Sequence, residues 1–168
     1  MSTATNLETA PPELALRRAF SLFPTGVVAV CGLVDDRPVG LAVNSFISVS
    51  LEPPLVAVSV ARTSSTWPVL ADSAQLGLSV LGSNHEALCR KLASRNTDRF
   101  EDAEWHATDD GAVLMHGAAL WLECKVTATV DGGDHEIILL EVLKSDLFPE
   151  VTPLVFHQSQ FRGLLTEK

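Results

Sequence analysis

Residues 40–55 read Gly-Leu-Ala-Val-Asn-Ser-Phe-Ile-Ser-Val-Ser-Leu-Glu-Pro-Pro-Leu, which sets an amide, several hydroxyls and a Pro-Pro stop between two strongly apolar runs. Val43-Asn44-Ser45-Phe46 is polar where a buried strand would be apolar, so its amide, hydroxyl and main-chain groups need a partner. A flat heterocycle with a polar edge would supply one. The competing reading is a β-bulge at which Asn44 and Ser45 satisfy their own backbone; the fixed exit through Pro53-Pro54 favours a ligand cradle instead. A second stretch, Arg62-Thr-Ser-Ser-Thr66, combines a cation, hydroxyl donors and the free N–H groups at the start of a helix, a set suited to a phosphate. Taken alone, it reads first as a helix cap at Ser65 or Thr66 beside a solvated arginine, since caps are common and phosphate sites rare. Arg99-Phe100 reads as a basic residue and an apolar anchor on a loop. His135 follows a tight Gly-Gly-Asp turn, and by itself would be a partly exposed structural histidine.

Other chemistries lack their signatures. No Gly-x-Gly-x-x-Gly follows a strand, and there is no phosphate-binding Gly-x-x-x-x-Gly-Lys loop or Gly-x-Ser-x-Gly elbow. The five histidines, His85, His106, His116, His135 and His157, show no metal-ligand spacing, so no metal is expected.

The elements that must position these residues are mostly strands. A helix is predicted from Pro12 to about Phe23, with proline and Glu13 in its first turn, lidding one end of the fold. Strands are predicted at 27–34, 39–48, 55–61 and 76–81, with Asp35-Asp-Arg-Pro38 as a turn. Thr66-Trp-Pro68 opens a short helix ending near Asp72. Ser83-Asn-His-Glu86 has the pattern of a capping box, which starts a helix reaching about Ser94. Residues 95–115 lack periodicity and read as loop. From Leu120 to Val130 the alternation is strict, giving a half-exposed antiparallel strand. Asp131-Gly-Gly-Asp134 turns the chain into a strand at 136–143, whose continuous apolar run predicts burial on both faces. A last short strand is expected at 153–156. Short antiparallel strands with few helices indicate a mainly β fold of barrel type.

At 168 residues the chain suits one domain, with residues 1–12 as a disordered tail and 13–165 as the folded unit. Apolar residues make up 46% and mean hydropathy is +0.22, yet each apolar run falls short of the roughly 18 residues of a membrane span. No secretory signal pattern opens the sequence, so a cytoplasmic protein is expected. Cys31, Cys89 and Cys124 are far apart and odd in number, and read as buried thiols. A net charge of −9 argues against nucleic acid and anionic membrane as partners. The local basic cluster Arg90, Lys91, Arg95 and Arg99 suits a small phosphorylated ligand.

Phe23-Pro-Thr-Gly26, Val43-Asn-Ser-Phe46 and Gly133-Asp-His135, in this order, resemble the flavin reductase domain of two-component flavin monooxygenases, from about Leu14 to about Arg162. The resemblance implies an antiparallel, FMN-binding split β-barrel with a few short flanking helices. It implies an NAD(P)H:flavin oxidoreductase that passes reduced FMN or FAD to a separate monooxygenase, and a homodimer with the flavin site near its interface. Flavin contacts are then expected from Val43, Asn44, Ser45, Ser59, Val60, Ala61, Arg62, Ser64, Ser65, Thr66, Arg99 and Phe100. His135 is placed beside the nicotinamide, with His157 and Arg162 in the segment that takes the place of a Gly- and Arg-rich sequence in relatives. Two alternatives stand beside this reading: a flavin carrier or sensor that retains FMN, and an oxygenase or oxidase acting directly on an organic substrate. Hydride transfer between the two rings needs no general acid, in keeping with the lack of an obvious catalytic dyad.

Overall fold

The computed structural model describes residues 11–95 and 98–164. Most of the tail expected at 1–12 lies outside them; Pro12 already opens a helix. Along the chain run α1 (Pro12–Phe20), β1 (Thr25–Gly26), β2 (Val28–Val34), β3 (Arg37–Val43), β4 (Ile47–Leu51), β5 (Pro54–Ala61), α2 (Trp67–Leu70), β6 (Leu76–Val80) and α3 (Glu86–Ala93). They are followed by β7 (Trp105–Ala107), β8 (Val113–Met115), β9 (Leu120–Gly132), β10 (His135–Leu147), β11 (Val155–His157) and β12 (Gln160–Arg162).

Seven strands form one antiparallel sheet in the order β3-β2-β6-β9-β10-β5-β4. The sheet curls around one core, since β2, β3, β5, β6, β9 and β10 all send side chains into the same cluster, among them Val30, Val43, Val58, Leu78, Cys124 and Ile138. Trp67 and Leu70 of α2 plug it. The sheet is not closed by hydrogen bonds: among the described residues no ladder joins β3 to β4 or β5, although β3 and β5 approach each other.

β2 is buried on both faces, as its unbroken apolar run demands. Val28 and Val30 face the inner core, whereas Ala29 and Cys31 face a second cluster with Leu81, Leu92, Val113 and Met115. β8 can lie against that outer face because β6 offers it small residues. A Cβ on Gly77 would stand 2.1 Å from the Val113 carbonyl oxygen. The Ser79 hydroxyl accepts the Met115 N–H at 3.0 Å.

The structure departs from the sequence expectations at several elements. Residues 95–115 hold the short hairpin β7–β8, fastened by the Trp121 Nε1 donating to the Met115 carbonyl at 2.6 Å and by a 3.1 Å contact between His106 Nδ1 and His116 Nε2. The capping box does not form. α3 starts at Glu86 with no side-chain cap, because the Gly82 N–H goes to His85 Nδ1 at 3.1 Å and the Ser83 N–H to the Thr152 carbonyl. The 39–48 stretch is broken at residues 44–46, between β3 and β4. β10 is not buried on both faces: Ile138 and Leu140 point inward, but Ile137 and Leu143 are 41% and 44% exposed. α1 is no lid, since Ala15 is its one buried side chain while Leu14, Leu16 and Phe20 are exposed. The C-terminal segment forms two strands, β11 and β12, which join β1 in a small sheet.

Candidate functional site

The gap in the curled sheet is a cleft. The end of β3 and its following loop (residues 41–45), the end of β5 (residues 59–61), Ser64 and His135 line a cavity of about 300 Å³. Eight of the residues singled out from sequence thus meet in one place: Val43, Asn44, Ser45, Ser59, Val60, Ala61, Ser64 and His135. Leu41 and Ala42 join them; they belong to the 40–55 segment but, as apolar strand residues, were not named as contacts.

Ser45 finds its partner in the protein. Its hydroxyl donates to the Ser59 carbonyl at 2.9 Å and accepts the Ser59 N–H at 2.8 Å, pinning the β3–β4 loop to β5. Asn44 remains exposed at the cavity wall.

His135 opens β10 immediately after the two-residue turn Gly133-Asp134, where Gly133 adopts φ +79°, a conformation glycine takes without strain. Its Nδ1 lies 2.8 Å from Asp134 Oδ1, which holds the Asp134 carboxyl below the ordinary carboxylate range. The register His135↔Ala61 sets the ring at the cavity rim.

Arg62 turns toward this hairpin. Its Nη2 meets Asp131 Oδ1 at 2.8 Å, its Nη1 meets Glu136 Oε1 at 3.1 Å, and its Nε donates to the Gly133 carbonyl at 3.0 Å. The hydrogen bond with Arg62 holds Asp131 below its usual pKa, and the same contact raises that of Arg62. Where a phosphate was expected, two carboxylates engage the guanidinium.

A second cleft of about 380 Å³ adjoins the first across β3 and the 61–66 loop, lined by Pro38, Val39, Gly40, Ser65, Thr66, Val69, Asp98, Arg99 and Phe100. Arg99 is its half-buried cation. Nη1 donates to the Gly40 carbonyl at 2.8 Å and to the Thr66 hydroxyl at 2.5 Å. Glycine at position 40 is required by close approach: a Cβ would lie 2.5 Å from Cys31 Sγ and 3.0 Å from Phe100 Cζ. The helix cap belongs to Ser64, whose hydroxyl accepts the N–H groups of Thr66 and Trp67 at 3.3 and 3.1 Å. Ser65 and Thr66 do not cap α2 with their side chains.

His157 and Arg162 line neither cleft. They sit on β11 and β12, whose rings Phe156 and Phe161 pack together at 5.3 Å, with the Arg90 guanidinium 5.0 Å over Phe161. Thr25-Gly26 pairs with Phe156-Val155 in the same small sheet.

The flavin reductase like domain matches residues 20–165, most of the chain. The chain belongs to the flavin reductase like family. Among relatives, the FMN reductase (NADH) SmoA of Agrobacterium fabrum is 37% identical over 131 residues, covering 78% of this chain and 75% of that protein. The reductase subunit HsaB of a flavin-dependent monooxygenase from Rhodococcus jostii is 31% identical, covering 90% of this chain and 78% of that one. The solved NADH:FAD oxidoreductase SgcE6 of Streptomyces globisporus C-1027, in complex with NAD and FAD fragments, superposes with a TM-score of 0.88 at 33% identity, covering 98% of each chain.

Proposed function

We propose that this flavin reductase family member is an NAD(P)H:flavin oxidoreductase that supplies reduced FMN or FAD to a separate monooxygenase. The observation that carries the reading is the pair of adjoining clefts at the seam of the sheet. The first has a volume within the roughly 300–1,000 Å³ range of small-molecule sites and walls of main chain, short polar and small apolar side chains. The second offers a half-buried arginine and the hydroxyl residues Ser65 and Thr66 next to it. These features fit a ring with a polar edge in the first cleft and its phosphate in the second.

When bound, the flavin supplies the hydride acceptor and the nicotinamide the hydride, so the electronic work belongs to the cofactors. The protein's part is binding and orientation. Residues 43–45 and 59–61 would face the ring, with Ser64 on the same wall, and Arg99 with Ser65, Thr66 and Phe100 would hold the phosphate end. Arg62 acts one step removed, by bracing the hairpin that carries His135. His135 at the rim would meet the dinucleotide. No side chain has to move a proton in the hydride step. His157 and Arg162 keep a nicotinamide role only if the dinucleotide extends beyond the two clefts.

The curled seven-stranded sheet supports a split barrel whose seam is the cleft. A homodimer is supported by the apolar side chains left exposed on the edge strand β4, Ile47, Val49 and Leu51. Three free, buried thiols suit a reducing, cytoplasmic setting. The reading is tested by steady-state oxidation of NADH and NADPH with and without added FMN or FAD. Turnover that requires flavin and no organic substrate is expected; turnover that requires an organic substrate contradicts it.

A further inference from the structure

The β4–β5 ladder stops one rung early, and a side chain completes it. The register pairs Ile47 with Ala57, so its continuation would set Ser45 opposite Ser59. The Ser59 N–H and C=O do point toward that position, but what they meet is the Ser45 hydroxyl, which accepts from one at 2.8 Å and donates to the other at 2.9 Å. One oxygen thereby makes both bonds that a main-chain rung would make. As a result, Ser45's own N–H and C=O are off the ladder, and among the described residues no partner is found for them. Residues 43–45 line the cavity at this point.

We infer that Ser45 is a positioning residue: its hydroxyl replaces the missing rung, keeps strand β4 from zipping on to residue 45, and leaves the main chain of the loop available to the edge of a bound ring. This rests on the flavin-binding reading of the cleft. A bulge would satisfy Asn44 and Ser45 within their own segment, whereas here the bonds cross to a strand 14 residues away. Alanine at 45 would leave the Ser59 N–H and C=O without partners. The nearest replacement is the backbone of residue 45, drawn onto the ladder and away from the ligand.

Amide hydrogen exchange on the wild-type protein without flavin is the first test. The Ser59 amide is expected to be protected and the Ser45 amide to exchange fast; added riboflavin should protect the latter. A Ser45 amide already protected in the free protein overturns the inference. The second test compares Ser45→Ala and Ser45→Thr by fluorescence titration with FMN and riboflavin. Ser45→Ala should weaken both by about tenfold, since the ring is common to them, while its residue 45 amide becomes protected. Ser45→Thr, which retains the hydroxyl, should bind within about threefold of wild type. Unchanged affinity in Ser45→Ala, or lost affinity with no new protection at residue 45, overturns it. A wild-type protein that binds no flavin contradicts the functional reading instead, and the exchange pattern of the free protein still tests the rung.

Discussion

Replacing Arg99 by methionine separates the phosphate end of the site from the fold around it. The substitution keeps an unbranched apolar stem beside Phe100 and removes the guanidinium that spans the Gly40 carbonyl and the Thr66 hydroxyl. Both acceptors lie on buried residues. Losing two bonds from a charged donor, partly compensated by water entering an open cleft, should cost ~2 kcal/mol of stability, or about 4–8 °C in Tm for a domain of this size. That loss does not distinguish between ligands, because each binds the folded protein. A phosphate held by Arg99 adds a further ~1.5–3 kcal/mol for FMN, roughly a 10- to 150-fold rise in Kd, and adds nothing for riboflavin, which has no phosphate. The quantity to measure is therefore the ratio of the two dissociation constants, from quenching of flavin fluorescence. Arg62→Ala is the matched control: its guanidinium is engaged by Asp131, Gly133 and Glu136, so FMN and riboflavin should weaken by the same factor. An unchanged ratio in Arg99→Met, or a changed ratio in Arg62→Ala, would refute this division of labour.

His135→Asn should raise KM for NAD(P)H about fivefold, the worth of one ordinary hydrogen bond, and leave flavin affinity and Tm nearly unchanged; a lowered Tm with unaltered kinetic constants would make it a buttress of the turn. Gly40→Ala should destabilise by ~1–3 kcal/mol through its contact with Cys31 Sγ, and Cys31→Ala in the same chain should recover part of that loss, so strictly additive effects count against the contact. Burial holds both His85 and His106 below the ordinary 6.5, and neighbouring His116 lowers His106 further. The unfolded chain then takes up protons first, so this stability is complete above pH 6.5 and is lost as pH falls below it toward the depressed folded values. Melting curves between about pH 7.5 and 5.5 should show the decline, and His106→Asn should flatten it; an equal slope in the variant contradicts the assignment.

Much of the scaffold was legible because its signals are local. The alternation from Leu120 to Val130 marks β9, and Gly132-Gly133 marks the hairpin that carries His135. The polar centre at Asn44-Ser45 located the cleft but not the reason for the polarity: the hydroxyl's partner, Ser59, lies in another strand and is visible only through the register. Arg99 was a residue on a loop until the fold brought it to Gly40 and Thr66, 59 and 33 positions away. Arg62 looked available for a phosphate because the sequence does not show that the hairpin acids lie across from it. β7 and β8, three residues each, are too short for a period to register, and the pattern Ser83-Asn-His-Glu86 was overridden by His85 and the Thr152 carbonyl.

The most direct test of the central claim is the anaerobic reduction of free flavin, followed as the loss of its visible absorbance. Catalytic amounts of this protein with NADH or NADPH and FMN or FAD should bleach the flavin far faster than the same mixture without protein, with no organic substrate present. Bleaching no faster than the protein-free mixture, with either nicotinamide and either flavin, would contradict the account.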